Sequence, residues 1–256
     1  MSCYVISDIH GCYDTFMELL DKVNFSDEDK LYILGDIVDR GPKDYEVYLW
    51  IKNRINKNVF MIKGNHEEMF IERVKGFYGK EASRKEERGE VLSQKELECF
   101  EFFTNEMFRQ VHDPYKTIKR LRKKDKLSFK DLFEMVDFFE SLPYYYEIEV
   151  NNKKYTLVHA CCGKDLATTD EDTFLWSRDF VNGQYIKGKN VIFGHTPTIS
   201  LYYNYKGNIK FQNIDDTSSL INVDCGCVWN EKNSALGLLR LDDMECIYQK
   251  NIDKIS

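Results

Sequence analysis

The chain has 256 residues, enough for a full hydrophobic core, and its 43% hydrophobic and 31% charged residues exclude a disordered polypeptide. A formal net charge of −7 argues against general nucleic-acid binding, and the apolar runs are strand-sized, too short to span a membrane. The first residues run straight into a strand with no signal-peptide core, so the cytoplasm is the expected compartment. Eight cysteines include Cys161-Cys162 and Cys225-Gly226-Cys227 but no Cys-x-x-Cys pair, and they read as reduced, buried thiols.

In chain order, Cys3 to Ile6 reads as a buried strand. Asp14 to Val23 follows as a helix, with Phe16, Leu19, Leu20 and Val23 at helical spacing. Leu31 to Leu34 and Val59 to Ile62 are the second and third strands, Tyr45 to Ile55 is the helix between them, and a further helix begins near His66. This alternation predicts a parallel sheet with right-handed crossovers, whose ligands bind beyond the carboxyl ends of the strands. The pattern then changes. Lys80 to Glu90 is charged and read as a loop; Glu96 to Val111 and Phe129 to Phe139 are aromatic-rich helices. Phe100, Phe103 and Met107, and Leu132, Phe133, Val136 and Phe139, carry the apolar spacing of a helical insertion packing its own core. The basic run Lys116 to Lys126 reads as a solvated helix face, and His112 as a surface or packing residue.

From Tyr144 onward strands dominate. Tyr146 to Val150 and Tyr155 to Val158 flank Asn151-Asn152-Lys153-Lys154, a hairpin signal. Val191 to Phe193, Ile209 to Phe211, Leu220 to Val223, Leu236 to Leu241 and Glu245 to Gln249 supply five more. One α/β domain over 1–256, with a helical insertion at about 76–143, is the expected organisation.

Chemistry concentrates in three blocks, each directly after a strand: Ser7-Asp8-Ile9-His10-Gly11, Gly35-Asp36-Ile37-Val38-Asp39-Arg40-Gly41 and Gly64-Asn65-His66-Glu67. Of five histidines, His10 and His66 lie in these blocks, and His159 and His195 follow later apolar runs. Oxygen and nitrogen donors gathered at successive strand ends are what a hard or borderline divalent cation needs. An aspartate or asparagine at a strand end is commonly only a turn-former or cap, so the full set carries the reading and no single member does. Glu67 is read as favouring the helix N-terminus and has no catalytic role.

Asp-x-His-Gly, Gly-Asp-x-Val-Asp-Arg-Gly and Gly-Asn-His-Glu, in this order, resemble the phosphoprotein phosphatases of the binuclear metallophosphoesterase superfamily, in their compact prokaryotic and phage branch. Val158-His159-Ala160, Gly194-His195-Thr196-Pro197 and Asn222-Val223-Asp224-Cys225-Gly226 resemble that family's later motifs. The resemblance implies a calcineurin-like β-sandwich flanked by helices. It implies one metal on Asp8, His10 and Asp36, with Asp36 bridging to a second metal completed by Asn65, His159 and His195. It further implies manganese first, with iron or zinc as alternatives, and a metal-bound hydroxide attacking phosphorus in line. His66 takes the place of the general acid, Asp39 that of its hydrogen-bond partner, and Arg40 and Arg178 those of a phosphoryl clamp.

Two positions depart from the pattern: Cys161 stands where relatives commonly have glycine, and Lys63 where eukaryotic relatives often have arginine. A thiol beside a metal cluster is a candidate for oxidation, weighed here against simple packing. The implied substrates are phosphoproteins or small phosphoesters. Symmetrical dinucleoside polyphosphate hydrolysis is the alternative activity, and retention of Asp39 and Glu67 leans towards the phosphomonoesterase. A non-catalytic module would be signalled by loss of a ligand or of the acid, and none is lost.

Overall fold

The structure is a computed structural model that describes residues 1–104, 116–200, 206–229 and 232–253. It falls into two compact units, one formed by Met1–His66 with Leu142–Ser256, the other by Glu67–Ser141.

In the first unit the predicted alternation is realised as β1 (Cys3–Ile6), α1 (Tyr13–Lys22), β2 (Lys30–Ile33), α2 (Asp44–Lys52) and β3 (Val59–Met61). β1 pairs with β2, and β2 with β3, both in parallel, as crossover helices require. A second sheet holds β4 (Tyr145–Val150), β5 (Lys153–Val158), β6 (Asn190–Phe193), β7 (Lys210–Asp215) and β8 (Ser218–Asn222) in the order β4-β5-β6-β8-β7. β9 (Leu236–Arg240) pairs antiparallel with β1, and β10 (Glu245–Gln249) with β9, so the first sheet runs β10-β9-β1-β2-β3.

The β4–β5 hairpin turns on two residues, Asn151 and Asn152, with φ of 50° and 61°. Asparagine tolerates that left-handed backbone, which matches the twist of the flanking strands. The two sheets pack face to face: Val5, Leu34 and Ile62 share a buried cluster with Leu157, Ile192 and Ile221. The other face of the second sheet buries Val158, Val191, Phe193 and Leu220 against Phe174 and Phe180. Two five-stranded sheets packed face to face make the α/β sandwich that the resemblance implies. Phe174 belongs to a six-residue helix, α7 (Glu171–Trp176), too short to announce itself by periodicity; Asp170 caps it by accepting from the Thr173 N–H at 2.8 Å.

The second unit is helical. α3 (Asn65–Glu87) is followed by α4 (Gln94–Thr104), α5 (Lys116–Lys123) and α6 (Phe129–Glu140). The loop expected over Lys80 to Glu90 is not one: α3 continues to Glu87. Glu, Lys, Ala and Arg are strong helix formers, and ion pairs such as Lys85–Glu96 at 2.5 Å hold the exposed charges. Leu132, Phe133, Val136 and Phe139 are buried at the predicted spacing, and Ser128 closes a capping box with Asp131. In α5, Ile118 and Leu121 are buried, while Arg122 lies over the Phe129 ring at 4.2 Å, so the basic run is only partly solvated. The side chains of Phe100 and Phe103, all of Met107 and His112, and the helix expected over 105–111 lie outside the described residues.

Candidate active site

All three early blocks, and both later histidines, sit where parallel strands end: after β1, β2, β3, β5 and β6. The blocks are laced together by backbone hydrogen bonds. The Asp8 N–H donates to Gly35 O (3.2 Å), His10 N–H to Asp36 O (2.9 Å) and Gly11 N–H to Ile37 O (2.8 Å). Asp8, His10, Asp36, Asp39, Arg40 and His195 all have positive φ, six of the twelve such non-glycine residues among the described residues. L-residues rarely adopt that conformation, and its concentration here marks a backbone strained to aim side chains inward. Two glycines make the close approach geometrically possible. A Cβ on Gly35 would lie 2.5 Å from Gly64 N, and one on Gly194 would lie 2.5 Å from Asp8 Oδ2 and 2.0 Å from Ser7 Oγ.

The side chains converge on Asp36. His10 Nε2 lies 3.7 Å and His66 Nε2 3.9 Å from Asp36 Oδ2, while His159 Nε2 lies 3.5 Å from Asp36 Oδ1. Asp8 Oδ1 is 3.9 Å from His10 Nε2. Asn65 Oδ1 faces His159 Nε2 at 2.9 Å and His195 Nδ1 at 3.0 Å. Two triads have ligand atoms within 4.8 Å of one another, His10–Asp36–His66 and Asp8–Asp36–His159, and the Asp36 carboxylate belongs to both. Backbone carbonyls fix the rings: His10 Nδ1 faces Val38 O at 2.9 Å, and His159 Nδ1 faces Leu34 O at 2.7 Å. Apart from them, His66 Nδ1 pairs with Asp39 Oδ2 at 2.7 Å.

Burial pushes the His10 and His159 imidazoles below their ordinary range, and for His10 the neighbouring His66 ring and Arg40 add to it. His195 is driven down to about 2, by burial first, then by His159 and Arg178. Three neutral imidazoles therefore offer lone pairs rather than charge.

The donor set fits a cation. A neutral His159 whose Nδ1–H donates to Leu34 O turns an Nε2 lone pair towards Asn65 Oδ1 at 2.9 Å, an arrangement that a shared cation would satisfy. His195 Nε2 is buried and has no hydrogen-bond partner among the described residues. Mixed carboxylate, amide and imidazole donors suit a borderline divalent metal. Among the described residues, no helix is long and apolar enough to cross a membrane.

Arg40 and Arg178 are both exposed at this rim, unlike the buried donors. Arg40 Nη1 donates to His10 Nε2 at 2.8 Å, and Arg178 is close enough to His195 to depress it. Cys161 and Cys162 are buried in the apolar layer behind the second sheet, and burial raises their thiols to about 11 and about 12. A thiol held protonated is a poor target for oxidants, so the packing role is the supported one. Lys63 is buried, its ammonium 5.3 Å from the centre of the Tyr144 ring.

Several contributors escaped the sequence reading. The Ser7 hydroxyl donates to Asp8 Oδ2, which also accepts the His195 N–H at 3.1 Å. Asp224 is buried, and burial together with the charge of Asp8 raises its carboxyl well above the usual range. Trp176 meets the His195 ring edge-on at 6.3 Å, and Trp229 lies under Arg40. Ser7 and Asp224 stand inside the strand-end and terminal motifs, Trp176 lies two residues before Arg178 and Trp229 three residues beyond Gly226; only their contacts reveal a role.

The sequence matches the calcineurin-like phosphoesterase family over residues 1–217. The chain belongs to that family. Like other calcineurin-like phosphoesterases it is a hydrolase-type chain with residues suited to divalent metals. It is 46% identical over 72 residues to a symmetrical bis(5′-nucleosyl)-tetraphosphatase of Buchnera aphidicola subsp. Baizongia pistaciae, covering 28% of this chain and 26% of that protein. The corresponding protein of Wigglesworthia glossinidia brevipalpis is 44% identical over 68 residues, covering 26% and 25%. The chain thus matches about a quarter of the length of these curated relatives. Among solved structures, a serine/threonine protein phosphatase from Saccharomyces cerevisiae superposes with a TM-score of 0.58 at 16% identity, covering 99% of this chain and 81% of that one. A cold-active protein-tyrosine phosphatase of a psychrophilic Shewanella does so with 0.54 at 16%, covering 97% and 80%. At such identity these two likenesses speak to fold alone.

Proposed function

We propose that this calcineurin-like phosphoesterase is a binuclear-metal phosphomonoester hydrolase of the serine/threonine phosphoprotein type. The observation that carries the reading is the His66–Asp39 pair, 2.7 Å apart beside the Asp36 carboxylate. In this reading Asp8, His10 and Asp36 hold one ion, and Asp36, Asn65, His159 and His195 the other, manganese being the first choice. When bound, two such ions supply Lewis-acid stabilisation and an acidified water.

The chain's own groups do the rest. Asp39 accepts the His66 Nδ1–H and stabilises the imidazolium, so Nε2 carries the proton the departing alkoxide needs. A serine or threonine alkoxide is a poor leaving group, and a dedicated acid is most valuable there. Arg40 and Arg178 offer paired N–H donors to the phosphoryl oxygens, binding the group and spreading its developing charge. The helical segment 76–143 is read as an insertion within one catalytic domain. A cytoplasmic setting is supported by eight cysteines that are all free thiols.

The second reading, cleavage of symmetrical dinucleoside polyphosphates, is favoured by the names of the curated relatives over the matched quarter. One assay separates them: manganese-loaded protein with phosphoserine, phosphothreonine and phosphotyrosine peptides alongside diadenosine tetraphosphate. Turnover of the phosphoserine and phosphothreonine peptides is expected, and exclusive turnover of the dinucleotide would overturn the first reading.

A further inference from the structure

The last sequence block, Asn222-Val223-Asp224-Cys225-Gly226, contributes nothing to the donor set, the acid pair or the clamp. Its side chains instead build a turn. Asn222 Nδ2 donates to Thr196 O at 2.8 Å, next to His195, and Asn222 Oδ1 accepts the Asp224 N–H at 2.9 Å. Asp224 Oδ1 in turn accepts the Gly226 N–H at 2.9 Å, and the Trp229 N–H donates to Gly226 O at 3.0 Å, closing the 3-10 turn Cys227–Trp229. Gly226 has φ of +72°, and a Cβ there would press on Ile199 at 2.7 Å and on the Trp229 ring at 3.2 Å. The chain of hydrogen bonds ends in one product, a half-exposed indole with the Arg40 guanidinium carbon 5.4 Å from its ring centroid.

Arg40 needs such a partner. Its side chain is exposed, so a contact that orders the long stem has value. A free arginine loses rotamer freedom when it grips a ligand, and a contact that orders it beforehand lowers that cost. Its other contact, to His10 Nε2 at 2.8 Å, uses the lone pair that a cation would claim, and one lone pair cannot serve both. The indole contact draws on no metal-ligand lone pair. We propose that Trp229 is a positioning residue: the terminal block builds a turn whose indole holds the Arg40 guanidinium ready for the phosphoryl group. This rests on the clamp role given to Arg40 under the proposed function.

The test is a double-mutant cycle of Trp229→Ala and Arg40→Ala, with Trp229→Phe and Trp229→Leu. Two quantities are read: KM and kcat for p-nitrophenyl phosphate with manganese, and the dissociation constant of inorganic phosphate by calorimetry. Trp229→Ala and Trp229→Leu should each raise KM and the phosphate dissociation constant about two- to five-fold, with a smaller change in kcat. Trp229→Phe should restore most of that. In the Arg40→Ala background, removing the indole should change neither quantity, because its only route of action is gone. The same fold-change in both backgrounds would overturn the proposal, since a fold-wide or direct substrate effect is blind to Arg40. So would a Leu variant that behaves like the parent. If the parent turned over no phosphoester, the proposed function would fail, while the phosphate constants would still decide the Trp229 question.

Discussion

The strand-end site and the helical unit Glu67–Ser141 spend their sequence differently. At the strand ends, aspartates, an asparagine and histidines are packed with polar atoms 2.7–3.9 Å apart on a backbone with several left-handed residues. In the helical unit most charged residues are outside: the ion pairs Lys75–Glu140 and Arg122–Glu81 have partly exposed partners, and although Glu67, Arg73 and Glu96 are buried, the core is mainly leucine, isoleucine, phenylalanine and valine. A fold tolerates crowded, buried polar groups only where surrounding structure over-determines them, and such crowding is worth keeping only where it does chemistry. Polar residues in the helical unit stabilise; at the strand ends they are themselves stabilised by the sandwich.

Substitutions can break or sharpen that contrast. The largest effect is expected from Asp36→Asn, which removes the carboxylate shared by both triads. Activity should fall by more than about a hundred-fold and bound metal per chain should drop, read by steady-state kinetics and elemental analysis. Next, His66→Asn should lower kcat for phosphoserine peptides by about 10²–10⁴-fold with KM little changed. The loss should be much smaller for p-nitrophenyl phosphate, whose leaving group barely needs a proton; equal losses on both would dismiss the acid role.

Gly194→Ala tests whether strain at the strand ends is tight. With Ser7 Oγ 2.0 Å and Asp8 Oδ2 2.5 Å from the added Cβ, unfolding stability should drop by about 1–3 kcal/mol and metal affinity should weaken with it. In the helical unit, Ser128→Ala removes the α6 cap and should cost about 1 kcal/mol in denaturant melts with kcat untouched. A change in kcat there would erase the distinction between the regions.

The smallest expected effect is a pH dependence. Lys85 and the Ser93 N–H and hydroxyl hold the Glu96 carboxyl at about 2, below its ordinary 4.5. A depressed carboxyl lends stability that is full above about pH 4.5 and lost as pH falls towards 2. Glu96→Gln should therefore melt slightly below the parent at neutral pH and converge with it in acid. Divergence in acid would remove Lys85–Glu96 from the account.

How far the sequence alone reached depends on what kind of signal each element carried. β1 to β3 and α6 emerged within about two residues, because apolar spacing reports directly on which face is buried. The extension of α3 through Lys80–Glu87 did not emerge, because a run of exposed charges satisfies a loop and a helix equally until neighbours supply ion pairs. α7 stayed hidden for want of two full turns.

For the site, residue types and their order after strands already named the candidates Asp8, His10, Asp36, Asn65, His66, His159 and His195, and the family resemblance gave them expected roles, because motifs keep donor types contiguous. Spacing along the chain has no access to distances across it. Only the tertiary structure put Asp36 within reach of three histidines, faced Asn65 with two imidazoles, paired His66 with Asp39 and laid Arg40 over Trp229. Those contacts join residues up to 189 positions apart, and sheet pairing and left-handed turns, not local propensity, bring them together.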